Sequence, residues 1–303
     1  MRDSVISRIT DCARENKRIF LITGDAGFGV LDEFKKTFPD RFLNLGVAEQ
    51  NMISFSAGLA LAGYKIFLYN IIPFLLFRCY EQVRNDICYQ RLPITLVGIG
   101  SGLTYAPQGV THYSIEDIQI ARSLPNLVIL SPSDPLEAEK CAEYAFSSKL
   151  PVYIRLAKSG EPRIHKRPPK TIEKPIVIRE GKEVAVLFHG SIGEEVISAV
   201  EGFKGTVKVI SVPKICPLDF PALLKELKNI HTVITVEEHF IDGGLGSIIA
   251  DWILEQGLSI RLKKMGISNE FIHKIKNRKG MRDYYGISSK AIRCAVKEAL
   301  RYE

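Results

Sequence analysis

The apolar positions in the first half of the chain fall into short runs separated by longer amphipathic stretches. Five runs predict strands, at 18–23, 65–70, 93–100, 127–132 and 151–156. The stretches between them predict helices at 49–62, 74–91 and 134–148. Because strands alternate with helices, the pattern indicates an α/β fold with a mostly parallel sheet. The strand runs are apolar throughout, which is typical of a sheet covered by helices on both faces.

The same alternation returns in the second half of the chain. Predicted strands lie at 184–190, 207–212, 232–238 and 260–267, and predicted helices at 191–203, 219–228, 244–256 and 288–301. Between the halves, residues 158–175 are charged, rich in proline and without periodicity, which predicts a linker. We therefore predict an α/β fold of two tandem domains, 1–157 and 176–303, each a mostly parallel sheet flanked by helices.

Composition narrows the kind of protein. The 303 residues are 46% hydrophobic and 25% charged, which is typical of a globular chain with a substantial core. The net charge of +7 comes from basic residues spread along the chain. A solvated surface explains this charge most simply; beyond that, the charge indicates a mild bias toward phosphorylated ligands and no nucleic-acid partner. No apolar run reaches the roughly 20 residues of a membrane span, and the N-terminus lacks the apolar core of a signal peptide. We expect a cytoplasmic protein without membrane contact.

The sequence predicts no metal site on the chain itself. Its six cysteines lie far apart, without a CxxC pair, and no histidines are grouped at metal-ligand spacing. We expect these cysteines to be reduced structural thiols. The glycine-rich segment TGDAGFG at 23–29 completes neither GxGxxG nor a P-loop, so it predicts a tight turn.

Two residues are candidates for proton transfer. Glu49 is the single carboxylate in RFLNLGVAEQNM (41–52), where an apolar strand pattern passes into an apolar helix pattern. A carboxyl in such a setting can share a proton because burial disfavours its ionised form. The alternative is an exposed acid favoured by the helix dipole. His112 follows a glycine-containing loop beyond the end of a predicted strand, where ligands bind in open α/β sheets. A lone histidine is more often structural.

Several segments together resemble the C-terminal half of transketolases and deoxyxylulose-phosphate synthases. In the family's order they are RFLNLGVAEQNMISFSAGLALAGYKIFLYN, FLLFRCYEQVRND, LPITLVG, GVTHYSIEDI, LPNLVILSPSD, VPKICPLD and TVEEHFIDGGLGS. The family's diphosphate-binding GDG...N motif is not matched, because Ala26 stands at its third position and Asn51 belongs to the GVAEQNM turn. The resemblance implies the second subunit of a split transketolase, with a pyrimidine-binding domain and a transketolase C-terminal-like domain.

The resemblance also implies roles for single residues. Glu49 would hydrogen-bond and activate the aminopyrimidine of thiamine diphosphate, and His112 would handle protons on the substrate. The cofactor-binding residues implied are Asp25, Glu49, Phe74, Phe77, Arg78 and Tyr80, and the substrate-binding residues implied are His112, Gln108 and Arg155. Counting back from YEQVR places Leu75 rather than Phe74 at the family's aromatic position. Gln108 stands where the family has an acid, and Gly100 where many transketolases have a histidine, so the sugar stays undetermined.

The function implied is that of a β-type transketolase subunit, which transfers a two-carbon ketol unit from a ketose or ketose phosphate to an aldose. Its partner would be an N-terminal transketolase subunit that carries the GDG...N motif and binds most of the diphosphate and the Mg²⁺. The assembly would be α2β2, and the substrate a phosphorylated or nucleotide-linked sugar. Three alternatives stay open: a deoxyxylulose-phosphate synthase-like carboligase that uses pyruvate, a 2-oxoacid dehydrogenase β subunit, and a non-catalytic regulatory subunit.

Overall fold

Two mainly parallel sheets organise the computed structural model, which describes residues 1–301. The strands are β1 (Ile19–Thr23), β2 (Phe42–Asn44), β3 (Lys65–Ile71), β4 (Ile94–Ile99), β5 (Val128–Leu130), β6 (Val152–Leu156), β7 (Ile176–Arg179), β8 (Gly181–Phe188), β9 (Gly205–Ser211), β10 (Lys214–Cys216), β11 (Thr232–Phe240) and β12 (Arg261–Ile267). The first sheet has the order β10-β5-β6-β4-β3-β1-β2, and the second β12-β11-β8-β9-β7. Only the edge strands β10 and β7 are antiparallel to their neighbours.

The predicted α/β fold class, with two mostly parallel sheets, is confirmed. All nine predicted strands are present within one to three residues of their predicted ends. The nine predicted strands leave out β7, β10 and also β2, although RFLNLGVAEQNM is interpreted as an apolar strand pattern passing into a helix. β10 is contributed by the second half of the chain and pairs with β5, so it completes the sheet of the first half.

The helices are α1 (Arg2–Glu15), α2 (Asp32–Thr37), α3 (Glu49–Leu61), α4 (Tyr80–Gln82), α5 (Asp117–Arg122), α6 (Pro135–Ser147), α7 (Gly193–Ala199), α8 (Phe220–Glu226), α9 (Leu245–Glu255), α10 (Arg278–Tyr284) and α11 (Ser289–Ala299). The stretch predicted to be helical over 74–91 is mostly helical, but its helix is irregular, because α4 is flanked by two π-helical segments, Pro73–Phe77 and Val83–Cys88. The start of α6 follows from its sequence. Asp134 caps it by accepting the N–H of Glu137, and Pro135 takes the first helical position.

Both faces of each sheet are buried. In β1, Leu21 packs into the cluster that includes α1 and α6, while its neighbour Ile22 packs into the cluster that includes α3. In β8, Val184 and Ala185 divide in the same way between two clusters. Successive side chains of a strand point to opposite faces, so two-sided burial requires the uninterrupted apolar runs seen in the sequence.

The predicted linker, 158–175, packs against the first sheet's helices. Asp134 accepts the backbone N–H groups of Ile164 and His165 at 2.9 and 2.8 Å. The imidazole Nδ1 of His165 lies 3.1 Å from Asp134 Oδ2. Burial lowers the pKa of His165, but the facing carboxylates outweigh this effect and raise it above its ordinary value. Ile172 is also buried, so the segment is held at 164–165 and again at 172.

The cysteines are free thiols, and four of the six are buried. Burial raises the pKa of both Cys79 and Cys88 to about 12, which keeps these thiols protonated near neutral pH. Within residues 1–301, no group of three or more His, Cys, Asp or Glu side chains is placed to hold a metal ion. Over the same residues, no helix is both long and apolar enough to cross a membrane.

Candidate active site

Glu49 begins α3 beside the carboxyl ends of the central strands, and only 3% of it is exposed. Gly24, which follows β1, lies so close that a Cβ there would be 3.4 Å from Glu49 Cγ and 2.7 Å from the amide nitrogen of Asn70 at the end of β3. The turn between β2 and α3 therefore places the carboxylate of Glu49 in the protein interior. The alternative of an exposed helix N-terminal acid is wrong, because the side chain is buried.

Arg78 is the observed partner of Glu49. Its Nη1 donates to Glu49 Oε2 at 2.9 Å, although the arginine side chain is 47% exposed. The guanidinium carbon also lies 4.5 Å from the ring centroid of Phe74. A flat nitrogen-bearing group is thus stacked on an aromatic ring while it donates to a buried carboxylate. Leu75, the other residue matched to the family's aromatic position, is completely buried in the core.

His112 is a second neighbour of the Phe74 ring. The two ring centroids are 5.7 Å apart in an edge-to-face arrangement, and the ring of Tyr105 is 6.3 Å from that of His112. The Nδ1 atom of His112 lies 2.8 Å from the hydroxyl of Thr111. The exposed Lys158 places its ammonium group 5.7 Å from the centroid of Tyr105. The rings of Phe74 and Tyr105 therefore connect the imidazole of His112 to the ammonium group of Lys158 and, through Arg78, to the carboxylate of Glu49.

The backbone of the loop that carries His112 is tightly turned at Gly100. This residue has a φ of +96°, and a Cβ there would be 2.5 Å from a ring carbon of Tyr105 and 3.1 Å from the carbonyl oxygen of His112. A histidine at Gly100 would require this loop to move. Gln108 is exposed on the same loop, where its N–H donates to the carbonyl of Tyr105 at 2.9 Å.

The remaining residues predicted to bind cofactor occupy different surroundings. Asp25 is exposed with a φ of +54°, and it exchanges hydrogen bonds with the side chain of Asn44. The hydroxyl of Tyr80 lies 2.7 Å from that of Ser123, and Phe77 packs against the hydrophobic core. Of the predicted site residues, the structure therefore groups Glu49, Phe74, Arg78 and His112.

Arg155 lies in the protein interior. It is 2% exposed, and its Nε donates to Asp117 Oδ2 at 2.7 Å. Its Nη2 donates to the carbonyl oxygens of Glu238 and Ser114 at 2.9 and 3.3 Å. Burial alone raises the pKa of Asp117, but Arg155 outweighs it and holds that pKa below its usual value. This geometry corrects the predicted contact with a substrate phosphate, because the guanidinium is enclosed by groups of its own chain.

Sequence reasoning missed Lys158, Tyr105 and Thr111. The available signal was the position of Lys158, which follows β6 by two residues and therefore lies beyond the carboxyl end of a parallel strand. Arg155 lies inside that strand, where both faces are covered.

Together, the fold and these residues define a two-domain α/β protein that groups Glu49, Phe74, Arg78 and His112 near the strand ends of its first sheet. Residues 1–162 match the family model described as "Transketolase, pyrimidine binding domain", and residues 173–292 match "Transketolase, C-terminal domain". The chain belongs to the transketolase family. The resemblance recognised in the sequence motifs is thereby confirmed for both domains.

Individual relatives give the same result. An apulose-4-phosphate transketolase subunit of Actinobacillus succinogenes is 40% identical over 263 residues, which cover 86% of this chain and 85% of the relative. The 1-deoxy-D-xylulose-5-phosphate synthase of Caldanaerobacter subterraneus is 32% identical over 270 residues, 87% of this chain but only 43% of the relative. The solved structure "Split gene transketolase, inactive beta4 tetramer" is 28% identical with a TM-score of 0.87, covering 99% of this chain and 97% of that one.

Proposed function

We propose that this chain is the β-type subunit of a thiamine diphosphate-dependent split transketolase, a transferase of two-carbon ketol units from a ketose phosphate to an aldose. The observation that carries the proposal is the buried Glu49, whose partner Arg78 also lies over the ring of Phe74. Further support comes from the 40% identical relative that is named as one subunit of a transketolase. Activity then requires a separate subunit that binds the diphosphate and Mg²⁺, and the two kinds of subunit assemble as α2β2.

Glu49 and Phe74 fit the aminopyrimidine end of thiamine diphosphate. The guanidinium of Arg78 already makes the two contacts that such a ring needs, one with the face of Phe74 and one with the carboxylate of Glu49. The chemistry that thiamine diphosphate supplies when bound is addition to a carbonyl and storage of the negative charge that results. The diphosphate and metal contacts are assigned to the partner subunit.

In this proposal the chain's own residues control protons and orientation. Glu49 holds the proton at the pyrimidine ring nitrogen once Arg78 has turned toward solvent, where half of its side chain already lies. His112 exchanges a proton with a substrate hydroxyl or carbonyl through Nε2, while Thr111 orients the ring at Nδ1. Lys158 takes the role of the phosphate-binding cation in place of Arg155, because its ammonium group is exposed beside this cluster.

The first sugar to test is apulose 4-phosphate, because two relatives named for it are 40% and 30% identical to this chain. The second candidate function is pyruvate-dependent carboligation, which is favoured by the 32% identical deoxyxylulose-phosphate synthase. The two candidates differ in the first bond broken: ketol transfer splits a ketose carbon–carbon bond, whereas carboligation starts with loss of CO₂ from pyruvate. Product analysis with each donor therefore separates them.

The experiment that tests the proposal is gentle purification of the tagged chain from its native host, followed by mass spectrometry of whatever co-purifies in equal amount. We expect a chain with a complete GDG...N motif. The reconstituted pair should then transfer a ketol unit with thiamine diphosphate and Mg²⁺, and neither protein should do so alone. A reconstituted pair that binds thiamine diphosphate but turns over no ketose or pyruvate would support the regulatory alternative instead.

Two exposed apolar side chains flank Glu49 and predict the surface that contacts the partner. Val47 is 81% exposed two residues before Glu49, and Phe28 is 82% exposed on the loop that follows β1. Large apolar groups exposed beside a site are typical of a protein interface. We expect Val47→Ser and Phe28→Ser each to weaken assembly by about tenfold, since each removes about 1–3 kcal/mol of apolar burial. Analytical ultracentrifugation of the mixed subunits measures this.

The matched control is Leu254→Ser on α9, which removes an equally exposed apolar side chain, 80% exposed, from the second domain. It should leave the dissociation constant within about twofold, because scattered exposed apolar residues need no partner. Equal weakening by all three substitutions, or by none, would contradict an interface centred on Glu49.

A further inference from the structure

The loop that carries His112, residues 101–115, packs into the second domain although it belongs to the first. Its apolar side chains share one buried cluster with strands of the second sheet and with α7 and α11; they are Leu103, Ala106, Tyr113 and Ile115. Its end is also bonded to β11, because the N–H of Phe240 donates to the carbonyl oxygen of Ile115 at 2.7 Å. The loop therefore packs directly on the second domain.

Glu238 of β11 contacts one end of this loop directly and is linked to the other end through Arg155. At one end, Gly102 has a φ of +59° and lies so close that a Cβ there would be 2.5 Å from Glu238 Oε2. The N–H of Gly102 in turn donates to the carbonyl of Ser114 at 2.6 Å. At the other end, Arg155 Nη2 donates both to the Glu238 carbonyl and to the Ser114 carbonyl. His112 lies two residues before Ser114, so its position depends on this junction.

Glu238 is itself held rigidly. Its carboxylate is buried, and it accepts two hydrogen bonds from Arg278, at 2.9 and 3.2 Å, and one from Arg282 at 2.5 Å. Burial alone raises the pKa of Glu238, but the two guanidinium groups outweigh it and hold that pKa well below its usual range. A buried carboxylate with three charged donors has little freedom to move.

We propose that Glu238 is a positioning residue for His112: anchored by Arg278 and Arg282, it fixes the turn at Gly102 and Ser114 and so holds the imidazole beside Phe74. This inference rests on the proposed function for the role of His112, but the packing of the loop is independent of it. It also gives the second domain a role, because Glu238 of β11 contacts the loop of the first domain that carries His112.

The first test is amide hydrogen exchange on the free chain, which requires neither partner nor activity. In Glu238→Gln, one oxygen can no longer accept a charged donor, so we expect peptides from 101–115 to exchange about tenfold faster. Gly102→Ala should have the same effect from the other side of the contact, and it replaces Glu238→Gln if that variant does not fold. The control is Glu195→Gln, because Glu195 also accepts from Arg282 but its other partner is the N–H of Ser289.

The second test uses the reconstituted complex. Glu238→Gln should lower kcat by about tenfold or more while the dissociation constant of thiamine diphosphate stays within about twofold, because a displaced imidazole affects the reaction rather than cofactor binding. The decisive measurement repeats the substitution in a His112→Asn background, where its effect on kcat should disappear if Glu238 acts through His112.

The outcomes separate the two proposals. Unchanged exchange in 101–115 in both variants overturns the positioning role, and so does an undiminished kcat effect in the His112→Asn background. If His112→Asn alone leaves activity intact, the proposed function of His112 fails. Faster exchange confined to 101–115 in Glu238→Gln would still show that Glu238 restrains this loop.

Discussion

Glu49→Gln is expected to reduce the kcat of the reconstituted complex by about a thousandfold, the scale of a lost proton-transfer group. Glutamine keeps the shape of the side chain and its ability to hydrogen-bond, but it cannot hold or release a proton at the pyrimidine nitrogen. Because the half-exposed Arg78 regains water when it loses its ion pair, the free energy of unfolding should change little. Steady-state kinetics and thermal unfolding of the same preparation measure both quantities.

The matched control is Glu81→Gln, which makes the same chemical change at an exposed carboxylate three residues beyond Arg78. Its partners are the side-chain amides of Gln82 and Asn85. Activity should stay within about twofold, because a solvated carboxylate outside the site takes no part in proton transfer. If Glu49→Gln kept most of its activity while Glu81→Gln also did, the catalytic assignment of Glu49 would have to be abandoned.

The parts of this fold that sequence predicted are those that local pattern controls. The apolar runs of β1, β3, β4 and β6 indicate strands because each must fill two buried faces. This reasoning does not detect β10, because β10 has only three residues and its partner β5 lies about 85 positions earlier in the chain. The two π-helical segments within 74–91 could not be predicted either, because their apolar positions follow the same pattern as those of a regular helix.

The candidate site residues also differ in how far local sequence predicts their surroundings. The burial of Glu49 is one of two interpretations of its apolar surroundings, and the resemblance of GVAEQ to the family motif favours it over an exposed acid. The place of Arg155 could not be predicted, because the groups that enclose it come from α5 and β11, 38 and 83 positions away. Its motif position suggested a phosphate ligand, whereas tertiary packing makes it the cation of a buried ion pair. Glu238 carried no signal in the sequence for the same reason.

Arg155→Met is expected to destabilise the chain by about 3–5 kcal/mol, since it leaves the buried carboxylate of Asp117 without its cation. The carbonyls of Ser114 and Glu238 lose a donor as well. The midpoint of unfolding in guanidinium chloride measures the loss. The control Lys140→Met breaks the partly exposed pair with Glu143 and should cost under about 1 kcal/mol.

The stability of Arg155→Met should also change with pH in the opposite direction from that of the natural protein. In the natural protein the pKa of Asp117 is lowered, so its contribution to stability is complete above the ordinary carboxyl value and is lost as the pH falls through the folded one. Without Arg155, burial dominates and the pKa of Asp117 rises, so the variant should instead lose stability as the pH increases through that raised value. Adding Asp117→Asn should abolish this slope and recover part of the lost stability. A variant that unfolds like the natural chain at every pH, but needs more phosphorylated sugar for half-maximal rate, would restore Arg155 as a phosphate ligand.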